Sequence, residues 1–140
     1  MQDAHGQTTG LLFHVGTIVV PYRRIDALAA AAILADNAAR ARSRTPGPGT
    51  EAALRRVLDA MRTGKPNYDE MTPWRAEIEK QQTRSLIAYA RMGAVRSIEF
   101  RGVDRMGRDV YEVHQEGGAS GWGISLDSTG LIESLWSARW

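Results

Sequence analysis

The stretch "DVYEVHQE" (109–116) holds the densest set of chemically capable groups in the chain: Asp109, Tyr111, Glu112, His114 and Glu116. Two chemistries suit such residues. The first is metal binding, for which Glu112, His114 and Glu116 share one face if the segment is a strand, because side chains there alternate. Neighbours on that face lie roughly 6–7 Å apart, too far to close on one ion without ligands from elsewhere. His5 and His14 lie near the other end of the sequence and form no second cluster with His114. The alternation leaves a solvated or pocket-lining polar face and predicts no metal. The second chemistry is acid–base work, which wants a carboxylate beside a hydroxyl donor at an apolar cavity. Asp109 and Tyr111 share a face with Val113, while Val110, Glu112 and His114 share the other. Asp109, Glu112 and His114 are the acid–base candidates. In the competing reading Tyr111 is a core aromatic whose hydroxyl reaches the rim.

Other chemistries lack their parts. The chain has no cysteine, so thiol catalysis and cysteine metal sites are excluded. A Ser-x-x-Lys nucleophile needs a serine three residues before a lysine, and neither Lys65 nor Lys80 has one. There is no Gly-x-Ser-x-Gly elbow. "GPGTEA" and "GWGISL" each contain Gly-x-Gly but lack the third glycine and the strand-to-helix setting of a dinucleotide loop. No catalytic residue and no cofactor is therefore assigned. The aromatics Trp74, Tyr89, Tyr111, Trp122 and Trp136 either line a ligand pocket or fill the core.

The elements that position these groups follow from periodicity and punctuation. "GLLFHVGTIVVPYRRI" (10–25) is apolar and β-branched, with Gly16 at its middle. It reads as two short strands, or one strand with a bulge, closed by Pro21. Asp26 is a good N-cap for the alanine-rich stretch 27–43, which has high helix propensity but little apolar area to bury. Such a helix suits a surface or a link between two parts. "RTPGPGT" (44–50) is a linker. Thr50 is expected to cap a helix in which Leu54, Val57, Leu58 and Met61 recur at amphipathic spacing. Gly64 and Pro66 end it, and "NYDEM" (67–71) makes an irregular turn. Thr72 and Pro73 start a third helix running to about Met92, on which Trp74, Ile78, Leu86, Tyr89 and Met92 can share a broad face. From Val95 the period becomes two. "VRSIEFRGV", "RDVYEVHQE", "GWGISLD" and "LIESLWSAR" read as four strands joined by short glycine-bearing turns, hence an antiparallel meander. Helices followed by a meander make an α+β fold, divided at the linker into residues 1–44 and 45–140.

The length of 140 residues suits a single hydrophobic core. A net charge of +2, with no basic stripe among aromatics, gives no electrostatic footprint for nucleic acid. No apolar run approaches the roughly 18 residues of a membrane span. The opening "MQDAHGQTTG" lacks the layout of a signal peptide.

Particular words carry a resemblance. "TPGPGTEAALRRVLDAMRTGKPNYDEMTP", then "G-x-V-x-S-I-x-F-x-G-V", "D-V-Y-E-V" and "L-D-x-x-G-x-I", over about residues 46–137, resemble the C-terminal accessory domain of bacterial serine hydrolases related to β-lactamases. That domain has the cone-shaped fold of the nuclear transport factor 2-like superfamily. "TTGLLFHVGTIVVPYRRID" resembles the last strands of the module that precedes it. Two stretches depart from the pattern: "GWGISL" stands where relatives carry an "E-W-R-I" type strand, and "SLWSARW" where they end in "G-L-x-F-R". The resemblance implies helices packed on a curved four-stranded antiparallel sheet, preceded by a short strand pair and an Ala-rich helix. It implies a non-catalytic accessory or scaffolding role, with a neighbouring hydrolase domain as partner. Separately, an apolar strand such as "TIVV" needs a partner strand or a cover, so an apolar patch around Leu12 to Val20 is expected, and a homodimer through it is the other partner. The compartment would be periplasmic or secreted if the parent hydrolase is. The alternative is a small-molecule-binding domain, or an isomerase- or dehydratase-like enzyme, using the cone cavity.

Overall fold

The computed structural model describes residues 1–139, apart from the side chains of Ser43, Thr83, Ser85, Leu86, Tyr89, Ala90 and Arg139. The front segment is two strands, β1 (Gly10–Val15) and β2 (Ile18–Arg23), paired antiparallel with Leu12 opposite Pro21 and Val15 opposite Ile18. Only Gly16 and Thr17 join them. Gly16 has φ +54°, the left-handed start that a two-residue hairpin turn favours. In such a hairpin Val15 and Ile18 form a hydrogen-bonded pair, so pairs alternate from there. Phe13–Val20 and Leu11–Tyr22 point their amides inward. Leu12, His14, Val19 and Pro21 point theirs outward. Pro21 therefore places its missing N–H on the outer edge of β2, where it costs no ladder bond.

Asp26 caps α1 (Ala27–Ser43), its carboxylate accepting from the Ala29 amide at 2.7 Å. The helix is largely exposed, with Leu28 81% open, as its small apolar side chains lead one to expect. α2 (Thr50–Arg62) buries Ala53, Leu54, Val57, Leu58 and Met61 along one stripe. It begins differently from the sequence expectation. Gly49 is the cap residue, no side chain caps the helix, and the Thr50 hydroxyl is used elsewhere. A 3-10 turn (Tyr68–Glu70) follows, where Asn67 accepts from the Asp69 amide. Thr72 accepts from the Arg75 amide and so caps α3 (Pro73–Ala90).

The remaining chain is the meander β3 (Val95–Val103), β4 (Asp109–Gln115), β5 (Gly118–Leu126) and β6 (Ile132–Arg139), in that order across one antiparallel sheet. The architecture is α+β, with three helices, the four-stranded sheet and the separate two-stranded sheet. Rows of residues across the sheet follow from register. Phe100, Tyr111, Trp122 and Ser137 form one row, and Gly102, Val110, Gly123 and Trp136 the next row, on the opposite face. The first face, with Val113, Ile124 and Leu135, meets Leu54, Leu58 and Met61 of α2, Met71 and Ala76 in one core. Each large side chain buried there stabilises the fold by roughly 1.5–3 kcal/mol. Met71 also bridges in parallel to Ile132, and the Thr72 amide donates to the Ile132 carbonyl at 3.0 Å, seating the start of α3 on β6.

Candidate functional site

Asp109 opens β4 on its inner face and is only 2% exposed. A buried carboxylate needs partners, and three parts of the chain supply them. The Gly47 amide donates to Oδ2 at 2.6 Å, the Thr50 hydroxyl donates to the same oxygen at 2.6 Å, and the Arg40 guanidinium pairs with Oδ1. Arg40 also donates to the Thr45 carbonyl. The end of α1, the linker and the start of α2 thus converge on one side chain of β4.

Tyr111, two residues on, extends this network, its hydroxyl lying 2.8 Å from Thr50 Oγ1. A threonine hydroxyl has one proton to give. The Asp109 carboxylate at 2.6 Å and the Gly47 carbonyl at 2.9 Å can only accept it, so Tyr111 is the donor to Thr50. Burial pushes the Tyr111 phenol above its ordinary pKa. The Thr50 hydrogen bond opposes the shift, the Asp109 and Glu51 charges add to it, and Arg40 opposes it. Tyr111 is therefore held protonated beside a carboxylate whose oxygens are already engaged. A cleft of about 360 Å³ opens beside this junction, lined by Arg40, Thr50, Asp109, Ile124, Leu126 and Asp127.

Glu112 and His114 lie on the other sheet face. His114 Nε2 is 3.0 Å from Glu112 and 3.7 Å from Glu99, and Arg101 reaches Glu112 at 2.8 Å and Glu99 at 3.0 Å. Glu99 and Glu112 stand directly opposite each other across β3 and β4. Like charges so placed repel, and the Arg101 guanidinium between them offsets the repulsion. Glu116 is apart from the group, in the turn beside Gly93. Among the described residues no three His, Asp or Glu side chains are arranged to hold a metal ion.

The aromatic candidates do not share a cavity. Tyr111 and Trp122 are fully buried in the core, Trp122 donating to Ser120 Oγ at 2.9 Å. Trp136 lies on the opposite face, against Gly123, with the Arg108 guanidinium 5.9 Å from its ring. Trp74 meets the hairpin instead of the core, edge-on to Phe13 at 5.5 Å and Tyr22 at 6.3 Å. Its expected company on a core-facing stripe fails for a geometric reason. Ala76 and Glu79 are the buried positions of that part of α3, and Trp74 is about 200° round the helix from Ala76. The Leu86 and Tyr89 side chains lie outside the described residues.

Sequence reasoning missed Arg40, Gly47 and Thr50 as partners of Asp109, and also a buried ion pair on α3. Arg75 and Glu79 pair one helical turn apart, with Glu79 1% exposed. Burial lowers the Arg75 pKa to about 10, which still leaves the side chain charged at neutral pH. A spacing of four is the only sequence signal for this pair, and it ordinarily marks a surface contact. Compared with protein-family models, curated proteins and solved structures, the chain finds no match.

Proposed function

We propose that this chain is a non-catalytic accessory domain of the nuclear transport factor 2-like type, scaffolding a larger bacterial serine hydrolase related to β-lactamases. The observation that carries the reading is the state of Asp109. The inward carboxylate–tyrosine pair at the start of β4 is spent on joining the linker to β4, with both carboxylate oxygens engaged by donors from the chain itself. The sequence words of the resemblance support the same reading. The surface offered to the neighbouring domain is the exposed apolar patch around Leu12 to Val20, where Leu12, Phe13 and Val19 are each about half exposed. The compartment would be that of the parent hydrolase.

A second reading rests on the cleft beside Asp109: a small-molecule-binding domain, or an isomerase- or dehydratase-like enzyme, with ligand seated against Arg40 and Thr50. One experiment separates the two. The purified chain is tested for turnover on ester and β-lactam substrates and for binding of small carbonyl compounds. The accessory reading expects neither. Turnover or binding that disappears in Asp109→Asn would overturn it and favour the second.

A further inference from the structure

The cleft beside Asp109 already holds a cation, and the cation belongs to the chain. Arg40 Nη2 pairs with Asp109 Oδ1 and Nη1 donates to the Thr45 carbonyl, so a guanidinium sits between a carboxylate and a backbone acceptor. Asp109 is buried, whereas Arg40 is partly open to solvent. Among the described residues that line the cleft, Arg40 is the only basic one, against two carboxylates, Asp109 and Asp127. The Thr129 hydroxyl and the Leu131 and Thr129 amides hold Asp127 below the ordinary carboxylate pKa, so it is ionised at neutral pH. Ile124 and Leu126 give the cleft an apolar wall. Without Arg40, this space of about 360 Å³ presents two negative groups beside that wall and no positive one.

The helix that delivers Arg40 is lightly held. No described side chain of α1 is buried. Near its end Asn37 rests against Gly107 and Arg40 meets Asp109, one helical turn apart, and both side chains are polar. Elements with so little buried apolar surface open locally, well below the free energy of global unfolding. When α1 lifts, the Gly47 amide and the Thr50 hydroxyl still hold Asp109 Oδ2, because both lie on the α2 side of the linker. Oδ1 then loses its compensating cation, and a buried carboxylate without one is costly.

We infer that the cleft binds a small organic cation, of guanidinium or alkylammonium type, that takes the place of the Arg40 side chain, with α1 the strap that withdraws it. This deepens the second reading of the cleft, on which it rests, by naming the ligand class. The cationic head replaces the Arg40 guanidinium at Asp109 Oδ1, and the alkyl part lies on Ile124 and Leu126. Arg40 is a tethered competitor that lowers the apparent affinity of the free ligand.

Methylguanidinium, its neutral isostere methylurea, and acetate are titrated into the whole chain by calorimetry. Methylguanidinium should bind Arg40→Ala at least about tenfold more tightly than the parent, the fold-change of one competing hydrogen bond to a charged group. Asp109→Asn in the Arg40→Ala background should cancel that gain. In the parent chain methylguanidinium should speed amide exchange in α1 and leave α2 unchanged, a readout that holds even where Arg40→Ala does not fold. Equal binding of methylguanidinium by parent and Arg40→Ala, or equal binding of methylguanidinium and methylurea, would overturn the inference. So would α1 exchange that responds as much to sodium chloride at the same ionic strength, which would be screening. Acetate or methylurea bound by the parent and lost in Arg40→Ala would overturn the cation assignment and leave a small-molecule site. Binding of none of the three by either protein would overturn both.

Discussion

Gly123 and Trp136 stand opposite each other on β5 and β6, and the absence of a side chain at 123 is what admits the indole. A Cβ built on Gly123 would lie 1.8 Å from Trp136 Nε1 and 2.2 Å from Cε2. Comfortable separations are about 3.5–4.0 Å, so in Gly123→Ala the ring must withdraw by roughly 1.5–2 Å. Gly123 is not among the positive-φ glycines, so the backbone itself accepts alanine and contact is the whole penalty. Overpacking of this kind costs about 1–3 kcal/mol. Moving the ring also weakens its contact with Arg108, worth about 0.5–1 kcal/mol at an exposed site. We expect Gly123→Ala to destabilise by about 2–3 kcal/mol. With a urea slope of roughly 1–3 kcal/mol per molar, the unfolding midpoint falls by about 1 M or more. Trp136→Ala removes the obstacle. In that background Gly123→Ala should be neutral or slightly stabilising, since glycine in a strand costs about 0.5–1 kcal/mol relative to alanine. The double-mutant cycle then returns a coupling of about 2–3 kcal/mol. An equal loss from Gly123→Ala with and without Trp136, or no loss in the parent, would refute the argument.

Three further outcomes are expected. Leu54→Ala, at a fully buried position, should cost about 2–4 kcal/mol by urea unfolding, whereas Glu112→Ala, in a partly exposed ion-pair network, should cost about 0.5 kcal/mol or less. The fragment 45–140 should keep a cooperative thermal transition, but loss of Arg40 from the Asp109 junction removes one hydrogen bond to a charged group and should lower its stability by about 1.5–3 kcal/mol. Arg40→Ala in the whole chain should reproduce that loss. Tyr111 should ionise later than an ordinary tyrosine. Its raised folded-state pKa contributes stability that is complete below the unfolded value of about 10 and is lost as pH rises through the raised one. A phenolate absorbance titration in which Tyr111→Phe leaves the late-ionising fraction intact would contradict this.

Local pattern was enough for the elements and not for the junctions between them. The meander was legible because its strands alternate and its turns are short, and α2 because its apolar residues recur at helical spacing. The Asp109 junction was not legible. Its donors lie 59 to 69 residues away along the chain, and no local period encodes which loop meets the start of β4. Thr50 misled for a related reason. Threonine before a helix ordinarily caps it, and here a buried carboxylate competes for the same hydroxyl. The separation of Trp122 from Trp136 depended on strand register. A shift of one residue between β5 and β6 would have put both indoles on one face.

Pro21 has a consequence for strand addition. Strand addition is ordinarily an open-ended process, because each strand that joins presents a new edge to the next. A proline in one edge strand makes that side of the ribbon the poorer template. A strand laid along β2 would meet the outward groups of Val19 and Arg23 with no donor between them. The apolar character of β1 and β2 would otherwise invite fibre formation. One ring closure on one backbone nitrogen thus removes the central donor from the β2 edge.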